Sequence, residues 1–97
     1  MYARVATWEG GEGDALQRSA DEINSQAAMG PPEGVPATGF TMLIDRDAGR
    51  SMSISFFETE DDLRKGDAAL NAMTPGSAAV GRRVSVETYE VGVELRL

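Results

Sequence analysis

Arg4, Thr41, Ser53 and Ser55 are the residues whose types and spacing could do chemistry, and Tyr2, Trp8 and Phe57 fall in the same phase. They sit at alternate positions of predicted strands, so they are expected on one face of a sheet. An arginine there can bind a phenolate or carboxylate oxygen and favour its ionised form. The aromatics can stack on a ring, and the hydroxyls can orient a ligand's oxygen atoms. Each feature also has a plainer reading. Arg4 can pair with an acid such as Glu87 on a neighbouring strand. The aromatics can pack an interface between two copies, where such residues are enriched. No catalytic residue is assigned. Asn24 and Asn71 fall on predicted helices and read as solvated.

The residue list removes several chemistries. The chain has no histidine and no cysteine. A histidine-ligated haem, a histidine-based dyad or metal site, and a thiolate nucleophile are therefore excluded in the monomer and in any homodimer. Serines without a histidine partner give no support to a serine hydrolase. Glu58, Glu60, Asp61 and Asp62 cluster at a predicted helix start, where capping and the helix dipole account for them better than a metal does. No metal and no cofactor is expected. The formal net charge is −7, from 9 basic and 16 acidic residues. That balance opposes binding to nucleic acid or to an anionic membrane. No apolar run is long enough to span a bilayer. The opening residues Tyr2-Ala3-Arg4-Val5 predict no secretory signal, and a cytoplasmic protein is expected.

These residues need a scaffold, and the periodicity supplies one. Tyr2 to Glu9 alternates as a strand. Asp14 to Ala28 repeats Leu16, Ala20, Ile23 and Ala27 at helical spacing, with Asp14 capping or favouring the first turn. Met29-Gly30-Pro31-Pro32 ends that helix. Phe40 to Phe57 forms a hairpin around a three-residue loop, Asp47-Ala48-Gly49. Arg46 then pairs with Arg50, which puts Phe40, Met42, Ile44, Met52, Ile54 and Phe56 on one face, expected to meet the helices. Thr59 caps a second helix carrying Leu63, Leu70 and Met73, in which Gly66 permits close packing. The helix ends at Thr74-Pro75-Gly76, and the stretch to Gly81 is small in character. The last strand starts near Arg82, with a bulge expected at Glu87 to Tyr89 and an apolar series continuing to Leu97.

The order strand-helix-strand-strand-helix-strand is the ferredoxin-like split βαβ arrangement, an α+β fold with both helices on one face of an antiparallel sheet. Residues 1–97 are expected to form one domain. The second face, with Tyr2, Trp8 and Phe57 beside Arg4, Thr41, Ser53 and Ser55, is too aromatic for plain solvent and too polar for a dry core. Pairing with a second copy would shelter it and enclose a small cavity. A homodimer is therefore expected, with the last strand contributing.

The chain resembles the dimeric α+β barrel proteins, in particular the antibiotic-biosynthesis-monooxygenase-like domains. The likeness runs through Tyr2-Ala3-Arg4-Val5, Gly39-Phe40, Asp45-Arg46-Asp47-Ala48-Gly49-Arg50, Ser55-Phe56-Phe57-Glu58-Thr59-Glu60-Asp61-Asp62-Leu63 and Val86-Glu87-Thr88-Tyr89-Glu90-Val91. The resemblance implies cofactor-independent oxidation of a small aromatic or phenolic compound. Trp8 falls at a matching first-strand position, while the histidine that some members use is absent. The alternative is a noncatalytic dimeric protein that binds a small ligand or serves structurally.

Overall fold

The computed structural model describes residues 1–73 and 80–97. The expected end of the second helix at Thr74-Pro75-Gly76 lies outside the described residues. The elements are β1 (Tyr2–Glu9), α1 (Gly13–Ser25), a 3-10 turn (Ala27–Met29), β2 (Gly39–Asp45), β3 (Arg50–Phe57), α2 (Glu60–Ala72) and β4 (Arg82–Glu90). The strands form one antiparallel sheet in the order β2-β3-β1-β4. This is the ferredoxin-like α+β fold that the sequence predicts.

Local chemistry explains the element ends. The Thr59 hydroxyl accepts the Asp62 amide at 3.1 Å, capping α2, while Glu60, Asp61 and Asp62 lie at its positive end. α1 starts without a side-chain cap. Glu12 occupies that position, and Asp14 lies in the first turn.

The hairpin register departs from the expected one. Asp45 pairs with Arg50, Leu43 with Met52 and Thr41 with Ile54. The Asp45 carboxylate accepts the Ala48 amide at 3.1 Å, so the turn closes one residue earlier. Gly49 completes it at φ +67°, against Gly11, whose amide donates to the Gly49 carbonyl at 2.9 Å. A one-residue slip exchanges the faces of one strand relative to the other. Phe40, Met42 and Ile44 consequently share a face with Ser55, Ser53 and Ser51 rather than with Phe56, Ile54 and Met52.

Two further expectations are corrected. The irregularity in β4 lies earlier than Glu87, where the partners of Thr7 and Trp8 jump from Ser85 to Arg83. Regular pairing ends at Glu90. Beyond it Val91 donates its amide to the Met1 carbonyl at 2.9 Å, and the chain from 92 to 97 is exposed, outside any strand.

The helices cover the face that carries Arg4, Ser51, Ser55 and Phe57. At one end Phe57 is fully buried with Val35 and Leu63, and Tyr2, Ala37, Ala69 and Leu70 pack around them. Gly66 explains how α2 comes so close: a Cβ there would overlap the Phe57 ring. The opposite face presents Val5, Met52, Ile54 and Phe56 half-buried, with Leu43 51 % exposed. The assignment of Met52, Ile54 and Phe56 to the helix-facing core is thus reversed.

Candidate functional site

Successive rungs of the helix-facing side build the site. One rung runs Phe40, Ser55, Arg4, Thr88. The next runs Met42, Ser53, Ala6, Val86. The third runs Ile44, Ser51, Trp8, Arg83. Cross-strand partners lie side by side, so a row of serines forms a polar strip down the middle of the floor. Ala6 leaves the centre low because its side chain ends at Cβ. Above this floor α1 supplies Ser19 and Ile23, and α2 supplies Leu70 and Asn71. Together they bound an open cleft of about 920 Å³.

Arg4 is the most constrained group in this cleft. It is 4 % exposed and therefore needs partners for its charge. Its Nε donates to Asp67 Oδ1 at 2.8 Å, and its Nη2 donates to Asn71 Oδ1 at 2.9 Å. The same Asn71 oxygen accepts from Arg83 Nη1 at 2.9 Å. The expected Glu87 partner is not used: Glu87 instead accepts the Tyr89 hydroxyl at 2.7 Å. Glu87 and Tyr89 are partners of Val5 and Ala3, on the opposite face.

Arg4, Trp8, Ser53 and Ser55 all line the cleft. Tyr2 and Phe57 share their face but stand in the packed end. Thr41 pairs with Ile54 and lies on the opposite face. The cleft opens toward the helices, whereas the sequence places it between two sheets. Asn71 reads from the sequence as a solvated helix residue, and Asp67 is not singled out there; the structure brings both to Arg4. Their signal is readable in α2, where Leu63, Gly66, Asp67, Leu70 and Asn71 follow the 3, 4, 7, 8 spacing of one face. Polar residues in an otherwise inward stripe call for a buried partner, and Arg4 is that partner.

No protein-family model and no curated protein matches the sequence. Solved structures do match in shape. The heme-degrader MhuD from Mycobacterium tuberculosis, with two hemes bound in its active site, superposes with a TM-score of 0.62 at 13% identity, over 99% of this chain and 100% of that one. A mutant form of MhuD with two manganese protoporphyrin IX bound per active site gives 0.61 at 14% identity, over 99% of both chains. A candidate antibiotic biosynthesis monooxygenase from Deinococcus radiodurans gives 0.54 at 9% identity, over 100% of this chain and 98% of that one. The chain shares the fold of these structures. At these identities the likeness speaks for the fold alone.

The donor set of this cleft does not suit a metal porphyrin. The chain offers neither imidazole nor thiolate, and among the described residues no tyrosine lines the cleft. Among the described residues no group of carboxylates is placed to hold a metal ion. The arrangement is suited instead to a small ligand with an apolar body, resting against Trp8, Phe40 and Met42, and with oxygen atoms directed at serines and guanidinium groups.

Proposed function

We propose that this protein is a homodimeric, single-domain, cytoplasmic monooxygenase-like enzyme that oxidises a small aromatic or phenolic compound without a bound cofactor. The observation that carries this reading is the cleft itself, with a tryptophan and a serine row on its floor and buried Arg4 at its inner wall. A guanidinium beside a phenol oxygen favours the phenolate, which is the electron-rich form that reacts with oxygen. A phenol and one O2 give a quinone and one water, so the reaction balances without an external reductant. The protein's part is to bind, orient and ionise the ring. An oxygen electrode with a panel of naphthols tests this directly. Equal consumption of O2 and formation of quinone is expected. Saturable binding of the panel without oxygen uptake would contradict catalysis.

A noncatalytic ligand-binding role is the second reading. Among the described residues the cleft lining includes no histidine, aspartate or glutamate, so no side-chain base faces the ligand there, which favours binding without turnover.

The dimer reading rests on the opposite sheet face. Val5, Leu43, Met52, Ile54 and Phe56 lie on a face that carries no helix among the described residues, and Val93, Leu95 and Leu97 extend beyond the sheet, largely exposed. A contiguous apolar face of this kind fits a second copy of the same sheet. Sedimentation equilibrium should give about twice the 10.3 kDa chain mass. A concentration-independent mass near one chain would overturn the dimer. No helix among the described residues is long and apolar enough to cross a membrane.

A further inference from the structure

We propose that Arg4 and Arg83 form a two-arginine seat for a carboxylate, so that the cleft's ligand is an aromatic carboxylic acid, with Asn71 holding the seat in its absence. The inference rests on the cleft reading above and gives Arg4 and Arg83 the ligand's carboxylate in place of a phenol oxygen.

The geometry centres on one oxygen. Asn71 Oδ1 accepts from Arg4 Nη2 and from Arg83 Nη1, each at 2.9 Å. Two guanidinium groups thus converge on a neutral amide. The Arg4 charge is balanced by Asp67, at 2.8 Å from its Nε. Arg83 has no carboxylate within salt-bridge distance among the described residues. The seat therefore carries about one uncompensated positive charge, in a chain whose formal net charge is −7. An amide oxygen offers only a partial charge to these donors. A carboxylate offers a full charge and two oxygens, one for each guanidinium, and such charge-assisted bonds are about twice as strong as neutral ones.

The floor leaves room for this exchange. Arg4 and Arg83 belong to rungs on either side of the Ala6 and Val86 rung, and Ala6 places no side chain beyond Cβ between them. Trp8 is the direct cross-strand neighbour of Arg83. A ring lying along Trp8 would bring its carboxylate to the two guanidiniums. Arg82 also lines the cleft and adds to the positive potential. Asn71 lies on an exposed turn of α2, so its own amide can swing into water, and the incoming carboxylate takes over the buried Arg4 Nη2 donor that it releases.

Isothermal titration with 4-phenylbenzoate and its neutral twin 4-phenylbenzamide tests the seat. The wild type should bind the carboxylate at least about tenfold more tightly. Arg83→Gln should remove most of that preference and leave the amide's affinity within about threefold. Asn71→Asp, which puts a carboxylate of the protein's own into the seat, should weaken benzoate binding by at least about tenfold. Asn71→Ala, which empties the seat, should keep it or tighten it. Thermal melts of each variant establish that it is folded. Equal losses for both probes in R83Q, or identical behaviour of N71D and N71A, would overturn the seat. Amide binding in the wild type with no carboxylate preference would overturn the seat and leave the cleft standing. Failure of both probes to bind at millimolar concentration would overturn both readings.

Discussion

The two faces of the sheet solve opposite problems with the same strands. On the helix side, Arg4, Ser51 and Ser55 are buried in residue terms, yet they border open space. On the other side, Val5, Met52, Ile54 and Phe56 are apolar and have no layer of the described chain above them. A fold optimised only for one chain's stability would place the apolar set under the helices. Here Phe57, Val35 and Leu63 fill one end of the covered face and Leu16 of α1 is fully buried, while a cleft with a serine row among Trp8, Phe40 and Met42 stays open. The packed core and the open cleft are thus separated along the strand direction, and the bare apolar face lies across the sheet from both.

Two adjacent phenylalanines point to opposite faces of β3 and carry the largest expected difference. Phe57→Ala should cost about 3–5 kcal/mol in urea unfolding, because the ring is 0 % exposed and fills the space opposite Gly66. Phe56→Ala should cost clearly less in the isolated fold, its loss falling on self-association. Equal unfolding losses would mean that the two faces are not distinct in the way described.

The next effect sharpens the role of the open face. Leu43 is half exposed on the central part of β2, so Leu43→Lys should leave unfolding of the single chain almost unchanged. It should weaken self-association about a hundredfold, roughly 2.7 kcal/mol, since a lysine would have to be desolvated at the contact. Sedimentation across a concentration series reads this out. An unaltered dimer in L43K would place the interface elsewhere.

The smallest effect is titrational. The hydrogen bond from Tyr89 to Glu87, with the adjacent carboxylate charge, holds the Tyr89 phenol above its ordinary pKa of 10.0. The neutral phenol is then favoured by folding. Its stabilising contribution is complete below the unfolded pKa and is lost as pH rises through the folded value. Ultraviolet titration should show a tyrosine ionising above the ordinary range, and Glu87→Gln should bring it down. A wild-type Tyr89 titrating at the ordinary value would remove that contact from the account.

Much of the fold was legible because its signals are local. The period-2 and period-3.6 patterns, the Thr59 cap and the Gly49 turn each act within a few residues. The grouping of Arg4, Trp8, Ser53 and Ser55 was legible too, since strand alternation alone puts them in phase. What failed was the link between β2 and β3. Both strands alternate cleanly, and either register is self-consistent. In the observed register the Ala48 amide bonds to Asp45, and Phe40 rather than Thr41 joins Ser55. The identity of the helix-covered face followed that error, because an apolar face was assumed to seek the helices. Asp67 and Asn71 stayed hidden for a different reason. Arg4 is 63 residues from Asp67 along the chain and Arg83 is 12 from Asn71, and no local pattern joins them.

In the proposed reading the helix-covered face holds the ligand and the bare face does not. Amide chemical-shift mapping of the whole protein during titration with 4-phenylbenzoate tests it most directly. The account predicts saturable shifts at Arg4, Ala6, Trp8, Ser53, Ser55, Asn71 and Arg83, and at the Trp8 indole, with Thr41, Leu43 and Met52 left in place. Shifts concentrated at Thr41, Leu43 and Met52, with the cleft residues unmoved, would contradict it.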